Sequence, residues 1–245
     1  MPKRNIRLNL SFDGTAYCGW QIQKNQSTIQ GTVSEAISRI TGERIRLTGS
    51  GRTDAGTHAR SLIANFLTHS PIDPARLAAA LNSILPRDIR VLSARYVPVA
   101  FHARRDAEAK IYRYQIYLGA IQPPHLRREF FHFPYPVDFR KMEEAANNFI
   151  GEHDFASFSK SPPLPNTIRT IFRCELKKHG RCLILTVEGN GFLHHMVRNM
   201  AGTLLEVGRG SMRLHEFQEL FVKRDRKFAG FTAPAHGLIL LKVKY

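Results

Sequence analysis

The order in which two hydrophobic periods alternate is the feature that most constrains this chain. Ile6, Leu8, Leu10 and Phe12 recur at every second residue, the pattern of a strand with one buried face. Ile29, Val33, Ala36, Ile37 and Ile40 then recur at helical spacing, with Ser27 and Gln30 forming a capping-box pattern ahead of them. Two strand-like runs follow at 45–48 and 62–67, then a helix opened by Asp73-Pro74 with Leu77, Leu81, Ile84 and Leu85 inward, then a strand over 89–97. The order is βαββαβ. It predicts a ferredoxin-like unit, in which two helices cover one face of a four-stranded antiparallel sheet.

The order then recurs. Tyr112, Tyr114 and Ile116 alternate on a strand, and Asp138 caps a helix with Met142, Ala145, Ala146, Phe149 and Ile150 on its inner face. Strands over 168–177 and 182–188 meet through the turn Lys178-His179-Gly180-Arg181. A helix over 192–207, a short one over 214–222 and a strand over 238–245 complete the copy. The expected class is α+β, with two ferredoxin-like halves whose mainly antiparallel sheets join side by side around a cleft. The halves fall at 1–98 and 109–245, with a basic connection over 99–108 and a Pro-rich insertion over 119–136.

Charge says what such a cleft would bind. The 245 residues carry a net charge of +16, far beyond what solubility requires, and the cations run from Lys3 to Lys244. A broad basic face points to a polyanion, most often nucleic acid held through its phosphates. No signal peptide or apolar run of membrane-spanning length is present, and Cys18, Cys174 and Cys182 form neither a C-x-x-C pair nor an even disulfide set. A cytoplasmic protein without membrane attachment is expected.

The chemistry concentrates in Gly49-Ser50-Gly51-Arg52-Thr53-Asp54-Ala55-Gly56-Thr57-His58-Ala59-Arg60, between two strands. Its three glycines allow tight turns and bring main-chain N–H groups close to a ligand. It is no dinucleotide fingerprint, since Asp54 stands where G-x-G-x-x-G needs glycine, and no P-loop, since the closing Gly-Lys-Ser/Thr is missing. Asp54, two residues from Arg52, serves either as a turn former or as a reactive carboxylate.

Other candidates carry two readings each. Arg198 interrupts an apolar helix, as a structural cation or as a carboxylate's partner. Tyr112 and Tyr114 share one strand face and either fill the core or stack on a base. His194 and His195 are set aside as metal ligands because adjacent helix positions point about 100° apart and no carboxylate stands at H-E-x-x-H spacing. A non-catalytic RNA-binding module and a metal-dependent nuclease compete as functions. The first leaves Asp54 without a role, and the second needs clustered carboxylates that this motif lacks.

Taken together, Arg52-Thr53-Asp54-Ala55-Gly56-Thr57-His58-Ala59, Asp13-Gly14-Thr15-x-Tyr17-x-Gly19-Trp20-Gln21, Lys110-x-Tyr112-Arg113-Tyr114, Phe192-Leu193-His194-His195-Met196-Val197-Arg198-Asn199 and Ala233-Pro234-Ala235-His236-Gly237-Leu238-x-Leu240 resemble the landmarks of the tRNA pseudouridine synthase A (TruA) family, in that family's order. Thr57 stands where valine is common in the octet. The resemblance implies conversion of uridine to pseudouridine in the 3′ half of the tRNA anticodon arm, positions 38–40, by a homodimer without cofactor or metal. It further implies that Asp54 is the essential carboxylate, Arg198 its ion-pair partner, Tyr112 the ring over the target base, Arg52 a hold on the arm and Leu240 part of the base pocket.

Overall fold

A computed structural model describes residues 2–160 and 166–245. The chain is α+β and divides into two compact units, Met1–Glu108 with Leu240–Tyr245, and Ala109–Ile239. Leu240–Tyr245, expected to close the second half, thus group with the first.

In the first unit, β1 (Arg4–Phe12), α1 (Ile29–Thr41), β2 (Thr48–Gly49), β3 (His58–Thr68), α2 (Pro74–Ile84) and β4 (Ile89–Val97) run in that order. The strand order is β4-β1-β3, and β2 also pairs with β3. These pairings are antiparallel. Thr28 caps α1 by accepting from the Gly31 amide, and Asp73 caps α2 by accepting from Ala75 and Arg76, each satisfying donors that the first helical turn leaves open. Ile6, Leu8 and Leu10 are fully buried, as are Ile29, Val33 and Ile37 of α1 and Leu77 and Leu81 of α2. Each contributes about 1.5–3 kcal/mol of hydrophobic stabilisation. Arg7, Asn9 and Ser11 alternate with the buried set of β1 and therefore face the other side of the sheet. The terminal residues are tied down, with Glu108 N–H donating to Lys244 O and Tyr245 Oη donating to Ala103 O at 2.6 Å.

In the second unit, β5 (Ala109–Tyr117), β6 (Phe131–His132), α3 (Phe139–Asn147), β7 (Gly151–Asp154), β8 (Ile168–His179), β9 (Cys182–Gly189), α4 (Met196–Arg209) and α5 (Leu214–Lys223) follow, before β10 (Leu238–Lys244). The strands order as β5-β9-β8-β7, antiparallel throughout, and β6 adds a short parallel pairing to β5. Gly180, at a φ of +58°, makes the tight turn between β8 and β9. Phe149, Phe155, Phe158 and Phe217 are fully buried together, with Phe149 and Phe217 edge-to-face at 5.1 Å. No period announces that cluster, because its members come from the end of one helix, a loop and another helix.

Several local expectations differ from the structure. Ile84 and Ile150, expected on inner helix faces, are 40% and 45% exposed, and α3 ends at Asn147 before Phe149 and Ile150. The run 45–48 pairs only at Thr48, because the Gln30 side chain takes the Leu47 carbonyl at 2.8 Å and withholds it from a ladder. The cap of α1 is Thr28, one residue beyond Ser27. The helix expected over 192–207 begins at Met196, since His195 adopts a left-handed φ of 62° that a helix cannot continue through. No described helix is long and apolar enough to cross a membrane.

Candidate active site

Within the first unit, main-chain contacts from the 13–20 segment shape the loop that carries Asp54. Thr57 N–H donates to Asp54 O at 3.1 Å, closing a four-residue turn whose third residue, Gly56, has a φ of +78°. The turn is thus closed by the aspartate's main-chain oxygen. Trp20 N–H donates to Thr53 O at 3.1 Å, and Gly56 N–H donates to Tyr17 O at 3.2 Å. Both flanks of Asp54 are therefore tied to one segment.

That segment approaches closely because it carries glycine at the contacts. Gly19 has a φ of +82°, and a Cβ there would lie 3.0 Å from the Asp54 carbonyl carbon and closer to the Thr53 oxygen. A Cβ on Gly14 would fall on the Thr57 carbonyl, and one on Gly49 would meet the Trp20 ring at 2.6 Å. Trp20 is 1% exposed, so the loop rests on a fixed wall. Tyr17 Oη donates to Asp88 Oδ1 at 2.7 Å, and burial together with that bond pushes its phenol well above the ordinary range.

His58 Nδ1 lies 3.1 Å from both Gly14 N and Asp13 Oδ1. One ring nitrogen cannot accept from the first and donate to the second. The amide always carries its proton, so Nδ1 accepts from Gly14, while Asp13 Oδ1 is served by Thr15 N–H and Oγ1–H. Asp54 emerges half-buried and Arg52 exposed, and Leu240 is fully buried in β10.

In the second unit, Arg198 lies in the first turn of α4, where the sequence pattern expected mid-helix. Its Nε donates to Ala233 O at 2.7 Å, and Ala233 N–H donates back to Arg198 O at 3.2 Å. The closing motif thus clamps the arginine through main-chain atoms, a positioning role that residue patterns did not disclose. Two glycines make this approach possible: a Cβ on Gly202 would fall on the Phe231 carbonyl, and one on Gly230 would lie 2.6 Å from Thr203 Cα. Tyr114 is fully buried with its hydroxyl donating to Pro234 O at 2.7 Å; burial raises its pKa and the Arg198 charge opposes that rise. Tyr112 is 7% exposed and meets Phe192 edge-on at 4.9 Å, so packing sets its orientation.

His194 and His195 precede α4, and their ring centroids are 4.1 Å apart, so the helical-angle argument against paired ligation does not hold there. Cys174 is buried and its thiol is pushed up to about 12, a packed residue and not a nucleophile.

Comparison with known proteins bears on what these sites serve. A model of the family described as tRNA pseudouridine synthase matches residues 10–106 and 145–245. The tRNA pseudouridine synthase A of Acetivibrio thermocellus is 43% identical over 243 residues, covering 99% of this chain and 100% of that protein. That of Caldicellulosiruptor bescii is 43% identical with the same coverage. Among solved structures, a Cbf5-Nop10-Gar1 complex aligns with 96% of this chain and 57% of its own at 12% identity and a TM-score of 0.35, too loose a likeness to support an argument. By the family match and by identity along nearly its whole length, the chain belongs to the tRNA pseudouridine synthase family, among relatives named tRNA pseudouridine synthase A.

Proposed function

We propose that the protein isomerises uridine to pseudouridine in the anticodon arm of tRNA, at positions 38–40, with Asp54 as the essential carboxylate. Pseudouridine formation in tRNA follows from the family. The finer assignment to Asp54 is supported by one observation above the rest: a half-buried carboxylate presented on a turn whose two flanks are tied by main-chain bonds to the 13–20 segment.

The reaction needs no second substrate. The N1–C1′ bond breaks, the detached uracil turns, C5 joins C1′, the C5 proton leaves to a base, and N1 takes up a proton. A carboxylate serves by attacking the base, by attacking the sugar, or by taking a proton in an elimination. The uridine must first leave its stack, at a cost of roughly a few kcal/mol that phosphate contacts and an aromatic platform offset. In this reading Tyr112 supplies the platform, Arg198 pairs with the carboxylate, Arg52 holds the arm and Leu240 lines the base pocket. The clamp of Ala233 on Arg198 and the packing of Phe192 on Tyr112 suit groups whose orientation must be fixed.

Each unit is read as one ferredoxin-like half. The order β4-β1-β3-β2 in the first supports this, as does β5-β9-β8 with its two principal helices in the second. The halves are taken to join side by side around the RNA cleft, and the protein to work as a cytoplasmic homodimer without cofactor or metal.

The test uses tRNA tritiated at uracil C5, incubated without added cofactor or metal. Wild type should release tritium to water, and folded Asp54→Asn that still binds tRNA should release none. Release by both removes Asp54 from the chemistry. Release by neither, with binding intact, leaves an RNA-binding protein.

A further inference from the structure

We propose that Arg7 and Arg95, with Asn9 and Ser93, form a phosphate-binding groove for the tRNA backbone on the sheet face opposite the buried side of β1. The inference rests on the protein acting on tRNA, and extends that reading to a surface none of the motifs includes.

Arg7 of β1 is the direct cross-strand partner of Arg95 of β4, and Asn9 is the partner of Ser93. These four residues line a groove of about 230 Å³. Directly opposed like charges on adjacent strands repel, because their Cβ atoms stand only about 5 Å apart. Among the described residues no carboxylate forms an ion pair with either guanidinium. Arg7 is instead held from below by aromatic rings, with its guanidinium carbon 4.8 Å from the Tyr245 ring centroid and 5.9 Å from that of Phe101. Burial and the Arg95 charge both favour loss of the Arg7 proton and lower its pKa. Two cations are thus placed side by side, with one of them braced, at the cost of mutual repulsion.

An anion between the two relieves that cost. The groove is smaller than the roughly 300–1,000 Å³ of sites that enclose a small molecule, and its lining is polar, so it suits an ionic group rather than a base or nucleoside. Guanidinium forks match phosphate oxygens, while Asn9 and Ser93 add hydrogen-bonding groups beside them. A phosphodiester of the substrate supplies that anion, and the net charge of +16 draws such a polymer to the surface.

The experiment measures tRNA affinity by filter binding from 50 to 200 mM salt for wild type, Arg95→Gln, Arg7→Gln and, as a control for charge alone, Arg76→Gln on α2. Arg95 is exposed, so its replacement leaves the core intact even if the loss of Arg7 stacking unsettles the other variant. Arg95→Gln should weaken binding and lower the slope of log affinity against log salt by about 0.7–0.9, so that its deficit against wild type is about threefold larger at 50 mM than at 200 mM salt, as loss of one phosphate contact gives. Arg76→Gln should change the slope less. A wild-type slope in Arg95→Gln, an equal change in Arg76→Gln, or weaker binding with an unaltered slope overturns the proposal. Inorganic phosphate that shifts the Arg95 side-chain resonance, with no slope change for tRNA, assigns the groove to a free anion and overturns it too. Binding needs no turnover, so wild type that fails to bind tRNA refutes the functional reading, whereas equal binding by wild type and Arg95→Gln refutes only the groove.

Discussion

Gly19→Ala should disable the enzyme from a position that has no reactive atom. A Cβ at Gly19 lies about 1 Å inside ordinary contact with the Thr53 carbonyl oxygen, and the atoms it meets are main chain, which no rotamer change can move aside. Relief requires the Asp54 loop to shift by about that distance. Displacement of a reacting group by about 1 Å costs on the order of 100-fold in rate, or about 2.7 kcal/mol of barrier. The left-handed backbone at φ +82° adds about 1–2 kcal/mol of folding cost for any side chain. A chain of this size loses about 2–4 °C of Tm per kcal/mol, so melting should fall by roughly 2–8 °C from the backbone alone.

The second effect can be separated from the first. Gly42, the cap after α1, has a φ of +71° and nothing within 4 Å of its prospective Cβ. Gly42→Ala therefore carries the same backbone strain without the collision. Tritium release at saturating tRNA, with thermal melts on the same preparations, should show both variants destabilised and only Gly19→Ala slowed by about two orders of magnitude. Wild-type turnover in Gly19→Ala, or equal loss of turnover in Gly42→Ala, would refute the claim that close backbone packing positions Asp54.

Other outcomes follow from the same structure. Arg198→Ala should keep tRNA binding while slowing tritium release at least tenfold, and unchanged release would remove Arg198 from the site. Asp73→Ala deletes the cap on the Ala75 and Arg76 amides and should cost about 1 kcal/mol, read as a Tm lower by about 2–4 °C with turnover retained. Cys174 should resist iodoacetamide in the folded protein at pH 8 and react once urea unfolds it; labelling of the native state would contradict its burial. Its raised thiol pKa has a defined sign. The folded thiol keeps its proton between about pH 9 and 12 while the unfolded one loses it, so this residue's contribution to stability is intact below pH 9 and falls across that window. Cys174→Ala should flatten that part of the wild-type stability profile, and an unchanged slope would argue against it.

What could be read in advance depended on whether a residue's environment repeats along the chain. The alternation of Ile6, Leu8, Leu10 and Phe12 reports burial on one sheet face, and Asp73-Pro74 reports a helix start, because each feature is local and periodic. Phe192 to His195 carry apolar residues at a spacing that extends α4 backwards, yet His195 turns left-handed, a conformation that composition does not reveal. β7 was missed for a related reason: Gly151-Glu152-His153-Asp154 has no alternation, and the segment is a strand only because β8 pairs with it. Asp54 stood out through the glycines around it. The close approaches of Gly14 and Gly19 to the Thr57 and Thr53 carbonyls, and of Gly49 to the Trp20 ring, are set by tertiary packing and become visible only in three dimensions.

The clamp on Arg198 has an evolutionary consequence. The atoms that hold it, the carbonyl and amide of Ala233, belong to any residue that fits that buried space, while the approach of the 230–233 segment to α4 is set by the absence of side chains at Gly202 and Gly230. Such an arrangement is sensitive to chain length more than to residue identity. Substitutions at the half-buried Phe231 can accumulate without moving the arginine, whereas inserting or deleting one residue between Gly230 and Ala233 would slide the carbonyl by a full residue, up to about 3.8 Å. Lineages of this fold should therefore drift in the letters of that segment while keeping its count.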